Sequence, residues 1–151
     1  MRTCNCKKMI RFSILNQTVH SLATKVEQTT HHRFESLICD SNGRVITSTG
    51  KSPQDHECSL FEVSAISGSI FTEYTDVENL IDEGLRYIRI CTDRHVIFTF
   101  RIGAQSDPRR CVLLIVFPLI QQVTCIDEFT AIANSIYDRL QKDVTPLLGA
   151  C

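Results

Sequence analysis

Apolar residues recur along this chain in two rhythms, and the changes of rhythm mark its elements. Leu15, Val19, Leu22 and Val26 fall at spacings of four, three and four, which is one face of a helix. The spacing predicts a helix over residues 9–28, interrupted by Thr29-Thr30-His31-His32. Residues 34–39 then form a short apolar-rich run, followed by Asp40-Ser41-Asn42-Gly43. Asn-Gly tolerates positive φ at both positions and is a strong hairpin signal. Residues 44–48, with Val45 and Ile46, read as the returning strand.

A second helix is expected over residues 53–74. Pro53 suits its first turn, and Ser52 can cap its first N–H groups. Two apolar series run along it: Cys58, Phe61 and Ala65, and Val63, Ile66, Ile70 and Tyr74. Together they make a face wide enough to touch a sheet on one side and something else on the other. Residues 75–84 are acidic and loop-like, with Asp76, Glu78, Asp82 and Glu83.

The rhythm then drops to two. Residues 85–91 put Leu85, Tyr87, Arg89 and Cys91 on one side and Arg86, Ile88 and Ile90 on the other. Thr92-Asp93-Arg94 turns the chain into residues 95–101, a strand rich in β-branched and aromatic residues. After a polar loop at 103–108, residues 111–117 are apolar without a break. Such a strand is covered on both faces and belongs in the middle of a sheet. Pro118 ends it. Ile126, Phe129, Ile132, Ala133, Ile136, Leu140 and Val144 mark a last amphipathic helix, with Pro146 as its stop.

A hairpin and a three-stranded meander must share one sheet, and their most apolar strands should meet at its centre. The expected fold is α+β: a three-layer α/β/α sandwich around a five-stranded antiparallel sheet of order 2-1-5-4-3. The terminal helices share one face and the middle helix covers the other. Residues 9–148 form the single domain, and residues 1–8 are expected to be a flexible N-terminal tail. The strand at 85–91 is left at an edge, where unpaired backbone groups are a template for another chain.

Composition narrows the classes. With 151 residues the chain fits one domain whose core needs no metal or disulfide. Its 43% hydrophobic content is ordinary for a globular protein. Sixteen basic against 17 acidic residues, a net charge of −1, supply no basic excess for nucleic acid or for direct membrane binding. The first eight residues are polar with no apolar core behind them, so a secretory signal is not expected. The run 111–117 is too short to cross a bilayer. A cytoplasmic protein with reduced thiols follows as the expectation, with Cys39, Cys91 and Cys111 as small core residues.

Candidate chemistry is sparse. Cys4, Cys6, His31 and His32 are residues of zinc-ligand type, but Cys-x-Cys and adjacent histidines depart from the usual spacings. Cys4 and Cys6 as acylation sites lack a Gly at position 2, and Cys151 lacks a prenylation box. His56 and Cys58 stand two apart on the expected helix and so point to different faces. The six glycines are scattered, and no phosphate loop appears. No metal, cofactor or catalytic residue is therefore assigned.

The stretch Leu37-Ile38-Cys39-Asp40-Ser41-Asn42-Gly43-Arg44-Val45-Ile46-Thr47-Ser48 resembles the first hairpin of the roadblock (dynein light chain) family. Gly84-Leu85-Arg86-Tyr87-Ile88-Arg89-Ile90 and residues 111–117 look like that family's third and fifth strands. The resemblance covers about residues 9–148. A third helix is absent from the short dynein light chains. It is present in the bacterial GTPase-regulator branch and in the Ragulator branch, to which this chain is most similar. The loop 102–110 is longer and more basic than the family's tight turn, and residues 1–8 have no counterpart.

The resemblance implies a roadblock/profilin-like scaffold that is not an enzyme. Such domains pair their middle helices and join their third strands into one sheet. Here that interface would use Phe61, Val63, Ile66, Ile70, Tyr74, Tyr87 and Arg89, with another roadblock-domain subunit as partner in a homo- or heterodimer. It further implies a GTPase-containing complex, with Rag-type GTPases in TOR and MAP-kinase signalling at late endosomes or lysosomes, and membrane contact only through partners. Three other classes share features of this pattern: a PAS- or GAF-like small-molecule sensor, which needs a roomy pocket; a longin-type trafficking adaptor, which starts with a strand; and a dynein-associated light chain.

Overall fold

The computed structural model describes residues 2–40, 44–49, 66–74, 84–104, 110–119 and 126–148, with the backbone alone for 2–12. The chain opens with a helix, α1 (Arg2–Thr30). It begins well before Met9, so the expected tail is helical from Arg2 onward. No proline or glycine precedes Gly43, and nothing in the sequence breaks the backbone pattern there. At the other end His31 takes the left-handed conformation (φ 61°), and its N–H donates to the carbonyl of Glu27 at 2.9 Å. This is a C-terminal cap made without glycine, by a residue type that tolerates the conformation better than most.

Two strands follow, β1 (Glu35–Cys39) and β2 (Val45–Ser48). The N–H of Asp40 donates to Arg44 O at 2.8 Å, while Asp40 Oδ1 accepts from the Arg44 N–H at 2.9 Å, so both sides of the hairpin end are tied. The Asn42-Gly43 turn itself lies outside the described residues. Residues 66–74 are helical and form α2; the expected start of this helix at Pro53 also lies outside them. The meander consists of β3 (Tyr87–Cys91), β4 (His95–Ile102) and β5 (Cys111–Pro118), and α3 (Ile126–Leu148) ends the order.

Pro146 does not stop α3. It sits inside the last turn, where its missing N–H costs only one bond near the frayed end.

The sheet order is β2-β1-β5-β4-β3, antiparallel throughout, as the hydrophobic pattern predicts. Leu37 stands opposite Leu114, and Phe98 opposite Ile115. The unbroken apolar run of β5 is accounted for by its two faces. Leu113, Ile115 and Phe117 enter the core beneath α1 and α3, together with Leu15, Val19, Phe98, Phe100, Ile136 and Leu140. Val112, Leu114 and Val116 face the other way, with Leu37, Cys39 and Ile97.

Polar bonds fix the layers. Thr47 Oγ1 donates to Asn16 Oδ1, joining β2 to α1. Gln141 on α3 clamps Gly103 at the end of β4. Its Oε1 accepts from the Gly103 N–H at 3.1 Å, and its Nε2 donates to the Gly103 carbonyl at 2.8 Å. Gly103 has φ 120°, a conformation that L side chains rarely adopt.

Cys39 and Cys111 are buried, as expected, but Cys91 is exposed. It is the last residue of β3, which has β4 as its single neighbouring strand among the described residues.

Candidate partner interface

The described part of α2 is held by residues of β4. Ser67 and Thr99 are both fully buried, and Ser67 Oγ donates to Thr99 Oγ1 at 3.2 Å. One turn further, Phe71 is buried too, and the Arg101 guanidinium sits 5.3 Å from its ring centroid. Arg101 Nη2 also donates to the carbonyl of Phe71. Through this ring contact and hydrogen bond Arg101 ties β4 to α2.

With Ser67 and Phe71 turned inward, the neighbouring flank of α2 is left outward. Ile66 is 57% exposed and Ile70 39%. They stand four residues apart, one above the other on the helix surface. Tyr74 is half-buried on the same helix. Phe61 and Val63 lie outside the described residues.

The outer neighbour of β4 in the sheet order is β3. Among the described residues β3 pairs with β4 alone. The phase of that pairing can be read from its turn, where the Thr92 N–H donates to His95 O at 2.9 Å. Antiparallel pairs alternate, so Ile90 and Ile88 spend their backbone groups on β4. Tyr87, Arg89 and Cys91 then present theirs outward.

The side chains of β3 divide by face. Ile88 and Ile90 lie opposite Thr99 and Ile97, on the side that carries α2. Tyr87 lies on the α3 side, its ring 5.6 Å from that of Phe100 and 6.2 Å from that of Phe98. Arg89 lies there as well. Its Nη1 donates to Thr130 Oγ1 at 3.2 Å and is 4.0 Å from Asp127 Oδ1.

The expected interface set is thus split between the two sides of the sheet. Ile66 and Ile70 are on the helix that covers the side of Ile88 and Ile90, while Tyr87 and Arg89 lie on the α3 side. Strict alternation along residues 85–91 already separated Ile88 and Ile90 from Tyr87 and Arg89.

The other candidates are not brought together. His32 packs edge-on against Phe129 at 5.1 Å, with Nε2 3.3 Å from Glu128 Oε1, and His31 is exposed. The side chains of Cys4 and Cys6, and residues His56 and Cys58, lie outside the described residues. Among the described residues no three His, Cys, Asp or Glu side chains cluster as metal ligands, and no helix is long and apolar enough to cross a membrane. A groove of about 650 Å³ runs between α1 and α3. Leu22, Val26 and Ile132 line its floor, and Lys25, Arg139 and Lys142 its exposed rim.

No protein-family model matches the chain, and no curated protein matches it significantly. Solved structures do. MglB of Myxococcus xanthus superimposes with a TM-score of 0.60 over 92% of this chain and 93% of its own, at 16% identity. MglB of Thermus thermophilus, described as a gliding protein, gives 0.62 over 87% and 91%, at 11% identity. A roadblock/LC7 domain from Streptomyces avermitilis gives 0.53 over 76% and 83%, at 15% identity. At these identities the likeness is one of architecture, and the five strands in the order 2-1-5-4-3 with their flanking helices are the roadblock/LC7 fold.

Proposed function

We propose that this chain is a dimerising scaffold of the roadblock type, which presents α2 and β3 to another roadblock-type subunit and supports a small-GTPase assembly. The observation that carries the proposal is the pair of exposed isoleucines on α2, which is docked on β4, together with the neighbouring edge strand β3, whose outer backbone groups have no partner among the described residues. An apolar patch next to an open strand edge is where a further chain adds to a sheet. The roadblock/LC7 fold of the structural neighbours supports it, as does one neighbour described as MglB with a tetrameric arrangement, TM-score 0.63 over 89% of this chain at 12% identity.

The finer reading is a Ragulator-like subunit. It would carry Rag-type GTPases in TOR and MAP-kinase signalling, recruited from the cytoplasm to late endosomes or lysosomes through its partners. This rests on the resemblance of the first hairpin and the third helix. The sequence offers neither a phosphate loop nor a nucleophile–base pair, which supports a scaffold that is not itself an enzyme and holds no cofactor.

The test is Ile70→Asp. Full burial of an isoleucine contributes about 1.5–3 kcal/mol, so covering the exposed 39% of Ile70 contributes about 1 kcal/mol. A carboxylate desolvated in its place costs several kcal/mol more. Association should weaken at least about a hundredfold while circular dichroism and the melting temperature of the subunit stay close to wild type. Affinity capture followed by mass spectrometry should recover roadblock subunits and Rag-like GTPases with the wild type and lose them with the variant. A wild-type chain that stays monomeric at high micromolar concentration and captures neither would refute the proposal.

A further inference from the structure

We infer that the N-terminal turns of α1 lie on an anionic lipid surface, so that this chain makes a membrane contact of its own. The inference stands apart from the partner reading. α1 packs on the side of the sheet opposite α2, so the two surfaces can be occupied together.

The near-balance of 16 basic and 17 acidic residues conceals a division along the chain. Residues 1–26 hold Arg2, Lys7, Lys8, Arg11 and Lys25 and no acidic residue; Glu27 is the first. The rest of the chain is left with 11 basic against 17 acidic residues. Four of the five early cations fall between Arg2 and Arg11, on a stretch of helical backbone.

Helical periodicity sorts these residues. The stripe that packs α1 on the sheet comprises Leu15, Val19, Leu22 and Val26. Carried toward the N-terminus at the same spacings of four and three, it passes Arg11, Lys8 and Cys4. An apolar sheet face does not bury such cations without anionic partners. The stripe that holds the fold together therefore gives way, before Leu15, to one that calls for an anionic neighbour. Cys6, Met9 and Ile10 fall on the opposite side of the helix. Ile14, 43% exposed, continues their row by one turn. The exposed positions that follow, Gln17, His20, Ser21 and Thr24, include no acidic residue.

The neighbouring helix leaves this charge unanswered. Lys25 and Thr29 share a groove with Ile132 and Ser135, whereas Ile14 and Thr18 share one with Arg139 and Asp143. The two helices are thus antiparallel, and α1 starts where α3 ends. The last acidic residue of α3, Asp143, accepts from Arg139 Nε at 3.0 Å, and residues 144–151 contain none. A soluble polyanion would use the basic stripe and leave the apolar row in water. A lipid interface takes both, with headgroups meeting the cations and acyl chains meeting Met9, Ile10 and Ile14. No helix among the described residues is long and apolar enough to cross a membrane, so the contact lies along the surface.

The experiment sediments the purified full-length chain with vesicles of phosphatidylcholine alone and of phosphatidylcholine mixed with phosphatidylserine. Each cation near an anionic surface raises partitioning by about fivefold. The wild type should bind the mixed vesicles at least about tenfold better than the neutral ones, and lose that preference as salt is added. Lys7→Gln with Lys8→Gln and Arg11→Gln should lower binding by about a hundredfold. Ile14→Asp, at a position already exposed, should lower it by at least about tenfold with the melting temperature unchanged; with the salt series it keeps the test open to refutation if the triple variant misfolds. Equal binding to both vesicles, or triple-variant and Ile14→Asp chains that bind as the wild type does, overturns the inference. Binding to polyglutamate or duplex DNA with none to either vesicle assigns the basic stripe to a soluble polyanion and overturns the lipid. Each of these results leaves the Ile70→Asp test of the scaffold untouched.

Discussion

Replacing Thr99 by valine removes one oxygen from the seam between α2 and the sheet and leaves its shape almost unchanged. Thr99 and Ser67 are both fully buried, and the only polar contact between them is the 3.2 Å bond from Ser67 Oγ. A typical intramolecular hydrogen bond is worth about 1 kcal/mol net, but a hydroxyl stranded away from water costs about 1–3 kcal/mol. Thr99→Val strands Ser67, and Ser67→Ala strands Thr99, so each single change should destabilise by about 1–3 kcal/mol. In a chain of this size that lowers the melting temperature by about 2–12 °C. The double variant removes both hydroxyls and should recover about 1 kcal/mol or more relative to the sum of the singles. Urea unfolding at two protein concentrations measures this and separates subunit stability from association. Because the bond seats the helix that bears Ile66 and Ile70, Thr99→Val should also weaken dimerisation without altering the contact surface. Strictly additive singles, with no recovery in the double, would refute the view that these hydroxyls act as a pair.

Two further outcomes follow from the packing. Gln141→Leu leaves the buried N–H and carbonyl of Gly103 without their clamp and should cost about 1–3 kcal/mol in urea unfolding; an unchanged midpoint would show the clamp to be dispensable. Pro146→Ala restores a donor in the last turn of α3 and should raise the melting temperature, by at most about 3 kcal/mol worth of stability and less if the end frays; a lowered melting temperature would count against the helix continuing through residue 146.

Much of the fold was legible because two periodicities differ so sharply. The unbroken run of β5 could only be a central strand, and once it is central the hairpin must lie on one side of it and the meander on the other. Less was legible at the candidate interface. Alternation sorts Tyr87 and Arg89 into one set and Ile88 and Ile90 into another, but it does not say which layer each set meets. That is decided by the side on which α2 docks, through Ser67, Phe71 and Arg101, of which Ser67 and Arg101 carry no hydrophobic signal. Cys91 shows the same limit: a strand pattern identifies a small apolar residue but not whether the sheet continues beyond it. The early start of α1 was missed because a helix needs no apolar stripe where nothing packs against it; it needs only the absence of a breaker.

The pairing of β1 with β5 has a consequence for how the molecule is made. Leu37 meets Leu114, and Glu35 meets Val116, so the sheet joins segments from opposite halves of the chain. During synthesis at about 5–20 residues per second, the first hairpin waits several seconds before its central neighbour leaves the ribosome. Until then its own edge stays open to any strand that drifts past. Non-local closure of this kind is slow even after release. Newly made chains in that interval are the ones most dependent on chaperones, and a premature stop anywhere before residue 118 should yield a product that is degraded or aggregates.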